Sequence, residues 1–277
     1  DDNVAVGDNA LGSDTLGSRS TAIGQGALYA QNFTSATTSY NTAVGYNAGA
    51  AVTTGVQNTL VGYGSGDSLT TAGYNTAIGA NALAADTLGA KSVAIGREAL
   101  VTQNLTSAAD TFNTAVGFAA GQSVTTGINN TLIGGRAGDS LTDADLNTAV
   151  GKGALTTDTL GSHSVAIGFA TLEAQNFTSA TNTYNTAVGS AAGSAVTTGQ
   201  FNTLIGGLAG DALTVGAQNV ALGYGALTTD DLGSHSVAIG PSALYSQNYA
   251  SATNSYNTAV GSSAGTAITT GVANTLI

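Results

Sequence analysis

Along this chain a five-residue pattern returns sixteen times: Asn or Ser, then Thr or Val, then Ala or Leu, then Val, Ile or Leu, then Gly. It opens at Asn3, Ser20, Asn41, Asn58, Asn75, Ser92, Asn113, Asn130, Asn147, Ser164, Asn185, Asn202, Asn219, Ser236, Asn257 and Asn274, the last copy stopping at Ile277 before its glycine. An alternation of period two rich in β-branched residues predicts a strand in every copy. Successive side chains leave opposite faces, so Thr42 and Val44 share one side while Asn41 and Ala43 share the other. Position four is a branched aliphatic in every copy, which predicts that its face is the packed interior. Position three is Ala in twelve copies and Leu in four (Leu60, Leu132, Leu204 and Leu276), and is never charged. Lying opposite the expected core, it is expected to be covered by a second chain. Ala43, Ala115, Ala187 and Ala259 would allow close approach there, with Leu60, Leu132, Leu204 and Leu276 as plugs.

The spacing between copies runs 17, 21, 17, 17 residues and sums to 72. Two nested periods mark a repeat architecture. The chain therefore reads as one repeat domain, 1–277, in blocks 3–74, 75–146, 147–218 and an incomplete 219–277. It begins without Met and ends inside a repeat, so a piece of a longer polypeptide is expected. Glycine at position five suits a sharp corner. A second apolar stretch follows, such as "AVTTG" at 51–55 or "DTLGS" at 14–18, so each unit reads strand, corner, strand, polar turn. One 17-residue coil cannot bury its own apolar side, but stacked coils can, with backbones paired in parallel at about 4.8 Å. The predicted fold is all-β: a parallel β-solenoid of about sixteen rungs, with Asn ladders adding amide hydrogen bonds along the stack.

The rungs opening at Ser20, Ser92, Ser164 and Ser236 carry four extra residues, in "QNFTSATTSY" (31–40), "QNLTSAADTF" (103–112), "QNFTSATNTY" (175–184) and "QNYASATNSY" (247–256). Inserts in solenoids collect on one face, so these loops are expected to protrude in a row. They are where receptor or glycan contact is expected, with Phe33, Tyr40, Phe112, Phe177, Tyr184, Tyr249 and Tyr256 as apolar faces and Asn104 among the hydrogen-bonding neighbours.

The pentapeptides "SVAIG" (92–96, 164–168, 236–240), "NTAVG" and "NTLIG" resemble the head repeats of trimeric autotransporter adhesins of the YadA-like kind, and related repeats of phage tail fibres. The resemblance covers nearly the whole chain. It implies a left-handed β-roll, a side-by-side homotrimer and a role in surface attachment. The rungs of 17 and 21 residues are longer than is typical of those heads.

Composition narrows the chemistry. Only 8% of residues are charged, and 5 basic against 16 acidic residues give a net charge of -11. Phosphate contacts need Lys and Arg, so nucleic acid is not an expected partner. There is no Cys, which excludes disulfides and thiolate metal sites. No apolar run approaches the roughly 20 residues of a membrane-spanning helix, so no direct membrane contact is expected of this segment. "GDSL" at 66–69 and 138–141 matches an esterase signature, but the third copy carries Ala212 at the serine position. The only histidines, His163 and His235, fall elsewhere in the rung, so Ser68 and Ser140 lack the base a nucleophile needs. Those histidines share a position with Arg19 and Lys91, which reads as a solvated turn and not a metal site. Asp14, Asp86, Asp158 and Asp230 recur at one register and are expected to cap turns. No catalytic residue, cofactor or metal is expected.

The expected function is a non-enzymatic, extracellular segment of a trimeric surface fibre, on a bacterial cell or a phage virion, that presents or mediates attachment to a host-surface glycan or protein. A self-assembling extracellular filament is the alternative. Ice binding is set behind both, because Thr42 and its equivalents are expected to share the face of the core aliphatics.

Overall fold

The computed structural model of the protein describes residues 2–277. It is an all-β parallel solenoid of about sixteen turns, with no helix among the described residues. The chain divides into two compact units, 1–143 and 144–277. In the first, strands Val4–Val6, Thr21–Ile23, Thr42–Val44, Thr59–Val61, Thr76–Ile78, Val93–Ile95, Thr114–Val116 and Thr131–Ile133 form eight successive rungs. They pair in parallel and in register, for example Thr42↔Thr59, Ala43↔Leu60 and Val44↔Val61. The second unit repeats this from Thr148–Val150 to Thr275–Leu276.

The pentapeptide forms these strands as expected, but the faces are inverted. Position three points into the coil: Ala43, Leu60, Ala115, Leu132, Ala187, Leu204 and Ala259 are fully buried within one chain, and Leu276, in the last rung, is half-buried. Covered by their own coil, they cannot meet a sister chain as their composition suggested. Position four points outward, and Ile78 retains 37% of its surface. The second position, Thr or Val, shares that outer face.

The physical reason is the width of the coil. The inner face of the sheet meets a wall laid down after each glycine corner, and the gap does not admit a leucine from both sides; one leucine, Leu60, spans the two rungs of Gly49 and Gly66. The ninth residue of each rung supplies that wall, and its identity runs Leu, Leu, Gly, Gly through each block (Leu11, Leu28, Gly49, Gly66). Opposite a leucine wall the sheet carries alanine. At Leu60 the sheet itself carries the leucine, and the wall is glycine. A Cβ on Gly66 would lie 2.8 Å from both Leu60 Cδ2 and Leu69 Cδ1, and one on Gly49 only 2.6 Å from Leu60 Cδ1. The same ninth position is left-handed throughout, with φ 48° at Leu28 and 54° at Leu83. A leucine there costs about 1–2 kcal/mol of backbone strain, offset by the apolar volume it places in the core.

The asparagine at position one is the spine of the stack. Asn58 is fully buried; its Oδ1 accepts the Asn75 backbone N–H at 3.0 Å, and its Nδ2 donates to the Ala72 carbonyl at 3.0 Å. Asn41, Asn75, Asn202 and Asn219 pass the same bond to the rung that follows. The ladder expected as amide-to-amide bonds runs mainly through the main chain, the Oδ1 accepting a backbone N–H and the Nδ2 donating to a backbone carbonyl, with Asn58 Nδ2 also 3.3 Å from Asn41 Oδ1. At the corner, a Cβ on Gly62 would meet the Gly79 carbonyl oxygen at 2.5 Å, so the glycine column is imposed by the rung beneath. The second strand expected in every unit forms only before the long rungs, as Gly17–Ser18, Gly89–Ala90, Gly161–Ser162 and Gly233–Ser234.

Candidate functional site

Two regions stand out from the regular coil. One is built by the long rungs, the other is the outer face of the sheet. Each long insert turns back to add a two-residue strand beside the preceding rung: Thr37–Thr38 on Gly17–Ser18, Ala109–Asp110 on Gly89–Ala90, Thr181–Asn182 on Gly161–Ser162 and Thr253–Asn254 on Gly233–Ser234. The inserts therefore lie along the coil, with only a few residues of each standing free.

This placement divides the eight predicted contact residues. Phe33, Phe177 and Tyr249 turn inward, each about 5–6% exposed, and Tyr249 donates its hydroxyl to the Gly271 carbonyl at 2.8 Å. Their rings pin the insert to the roll and are not available to a receptor as predicted. Tyr40, Phe112, Tyr184 and Tyr256 remain about half exposed, each in the left-handed region with φ between 50° and 52°. Each stands beside the basic residue one rung earlier. The Arg19 guanidinium lies 5.7 Å from the Tyr40 ring centre and Lys91 Nζ 5.2 Å from that of Phe112. His163 and His235 tilt against Tyr184 and Tyr256 at 5.0 Å, with their Nδ1 atoms buried and unpartnered. The turn register read from Arg19, Lys91, His163 and His235 is thus a set of stacks on the aromatic of the following rung, cation–ring at Arg19 and Lys91 and ring–ring at the two histidines. Asn104 is exposed, and its Oδ1 accepts the Thr87 hydroxyl at 2.9 Å.

Inside the long rungs lies a polar cluster that sequence reading took only for turn caps. Asp86 does cap its turn, accepting the Gly89 N–H at 2.9 Å, but it is fully buried and also accepts Gln103 Nε2 at 2.5 Å. Gln103 reaches Ser92 Oγ at 2.9 Å, and its Oε1 accepts Asn113 Nδ2 at 2.9 Å. Ser92 in turn is hydrogen-bonded to Thr111. Asp230, Gln247, Ser236 and Asn257 repeat the arrangement. Burial pushes the Asp86 and Asp230 carboxyls above the ordinary carboxylate range, against hydrogen bonds from glutamine and backbone N–H that pull the other way. The signal was present in the sequence. The twelfth residue of successive rungs reads Asp14, Gln31, Val52, Leu69 and repeats, so acid and amide occupy core positions that alternate with aliphatics.

The outer face has no counterpart in the sequence reading. Within each unit, eight copies of Thr or Val and eight of Val, Ile or Leu face outward in two columns without a charge. At about 4.8 Å per rung and about 10 Å of width, these columns cover about 400 Å² per unit. Exposed rings after the corner glycine extend the apolar surface: Tyr46 and Tyr63, stacked at 5.5 Å, and Phe118 in the first unit, and Phe169 and Tyr224 in the second. An uncharged face of Thr and aliphatic columns with exposed rings beside it is a candidate interaction surface.

Ser68 and Ser140 lie half-buried in the turns of their rungs. Among the described residues no group of three or more His, Asp or Glu side chains is placed to hold a metal ion, and no helix is long and apolar enough to cross a membrane. No protein-family model matches the chain, and no curated protein matches it.

Proposed function

We propose that the chain is a rigid, non-enzymatic segment of a trimeric extracellular fibre, on a bacterial cell or a phage virion, that extends or presents an attachment surface. The observation that carries this reading is the uncharged outer face of Thr or Val and Val, Ile or Leu, repeated in every rung. A sheet face meant for water would carry Lys, Glu and Asp, whereas this one excludes them at both outward strand positions. The mates that cover it are sister subunits, in the manner implied by the adhesin-head resemblance, using the aliphatic columns and not the alanine stripe. The stacked register supports a stiff spacer, because within each unit successive rungs are tied by backbone pairing and core contacts, and by asparagine wherever position one is Asn.

The test is the mass of the chain in solution by light scattering. Three chains per particle are expected, and Ile78→Lys with Ile95→Lys should yield a folded single chain by circular dichroism. A wild-type protein that stays a single chain at tens of micromolar, by order of magnitude for such assemblies, refutes the reading.

One observation favours a second reading. The threonines set aside for ice binding lie on the outer face and not in the core, so Thr-x-Val and Thr-x-Ile ladders face outward at rung spacing. The protruding Tyr and Phe at the corners weigh against a flat contact with ice. Thermal hysteresis in the wild-type protein, abolished by Thr59→Tyr with Thr76→Tyr, would favour that reading over the fibre.

A further inference from the structure

The four long rungs are built alike, and the crevice beside each insert is framed by the same registers. At the residue before the pentapeptide of the preceding rung stand Asp2, Tyr74, Leu146 and Gln218. At the foot stand Arg19, Lys91, His163 and His235, and on the insert strand Thr38, Asp110, Asn182 and Asn254. Only the second copy combines an aromatic ring, an ammonium and a carboxylate. The same copy also lacks two hydroxyls. Where the others carry Ser18, Ser162 and Ser234 it has Ala90, and where they carry Thr37, Thr181 and Thr253 it has Ala109.

The missing hydroxyl has a specific consequence. In the later copies the serine accepts a backbone N–H, Asp145 N–H to Ser162 Oγ at 2.9 Å and Ala217 N–H to Ser234 Oγ at 3.0 Å, while the first copy, with Ser18 and Thr37, keeps a crevice of about 300 Å³. Ala90 offers no such acceptor to the equivalent N–H of buried Gly73. Gly73 lines an open crevice of about 350 Å³ together with Tyr74, Lys91, Ala90, Ala109 and Asp110. Lys91 Nζ and Asp110 Oδ2 are paired at 2.6 Å across it, Lys91 is steadied over the Phe112 ring, and Tyr74 stands at the rim, 53% exposed.

We propose that this crevice is a binding site for one neutral hexopyranoside. The volume lies at the low end of the range of small-ligand pockets, roughly 300–1,000 Å³. Tyr74 supplies a ring for the C–H face of a sugar, and Ala90 and Ala109 supply apolar walls. The ammonium donates to, and the carboxylate accepts from, adjacent hydroxyls, while Gly73 N–H donates to a third. The opposed charges of Lys91 and Asp110 cancel, which favours a neutral sugar over an acidic one. The site deepens the attachment reading given above by naming a ligand class for it.

The experiment is saturation-transfer NMR and titration of the full chain with the methyl glycosides of glucose, galactose, mannose and N-acetylglucosamine. At least one is expected to bind. Tyr74→Gln, Lys91→His and Asp110→Asn each install the residue of the fourth block, so the fold has a native precedent for every change. Each should weaken binding about tenfold, the size of one lost polar or ring contact. Ala90→Ser restores the hydroxyl that accepts the equivalent N–H in the later copies, and by taking Gly73 N–H it should also weaken binding about tenfold, with the circular dichroism unchanged. Binding by none of the four glycosides overturns the proposal, as does binding undiminished by Ala90→Ser. Both readouts are per chain and independent of solution mass. A single chain that binds sugar would sink the trimer and keep the site; a trimer that binds none would do the reverse.

Discussion

Replacing Leu60 with alanine probes the complementarity between sheet and wall. Leu60 is fully buried, with one methyl over Gly49 and the other over Gly66. The wall has no side chain there to collapse into the space, so the full cavity penalty applies, about 2–5 kcal/mol. Gly66→Leu alone should be at least as damaging, because its Cβ would lie 2.8 Å from Leu60 Cδ2 and from Leu69 Cδ1. The two changes together relieve the contact with residue 60 and set alanine against leucine as at Ala77 and Leu83, leaving only the contact with Leu69, and position 66 already has the left-handed backbone, φ 54°, that Leu83 adopts. The double variant should therefore be more stable than the sum of the single losses by about 1–3 kcal/mol, as expected of residues that share one cavity. Equilibrium urea unfolding followed by far-ultraviolet circular dichroism gives all four corners of the cycle. Additive losses would show that the inner leucine and the wall glycines are not matched in volume, and would refute the account of why alanine faces inward.

Asn58→Ala leaves the Asn75 N–H and the Ala72 carbonyl buried without partners. It should cost about 1–3 kcal/mol for each group, read by the same unfolding assay, and a loss near zero would remove the amide ladder as a source of stability. The raised carboxyls of Asp86 and Asp230 bind their protons more tightly in the fold than in the unfolded chain. Their contribution is therefore greatest below the ordinary carboxylate value of about 3.9 and falls as pH rises through the raised folded values. Thermal midpoints taken upward from about pH 4 should decline, and Asp86→Asn should flatten the decline; an unchanged slope in the variant would count against a buried acid as its cause.

The sequence by itself determined the rung, its parallel register and the corner. A pentapeptide that never lapses can stack only on itself, glycine is required where a Cβ would strike the next rung's carbonyl, and a buried asparagine at the same register can accept the backbone N–H of the next rung whether that rung opens on Asn or Ser. It did not decide which face of the strand is interior. Alternation of period two defines two faces equally well, and a shift of one position exchanges them. Hydrophobicity favoured the larger aliphatics as core, yet the narrow coil has room on the sheet side only for Ala43 and its equivalents, or for Leu60 where Gly49 and Gly66 withdraw. The inserts show the same limit. Tyr40 and Phe33 look alike as loop aromatics, and only the path of the returning strand turns one outward and the other under it. The crevice of Tyr74, Lys91 and Asp110 joins residues 17 and 19 positions apart that no local pattern links. Volume inside the coil and the route of the chain around it are properties of the folded stack, and they placed the core, the outer face and the crevice.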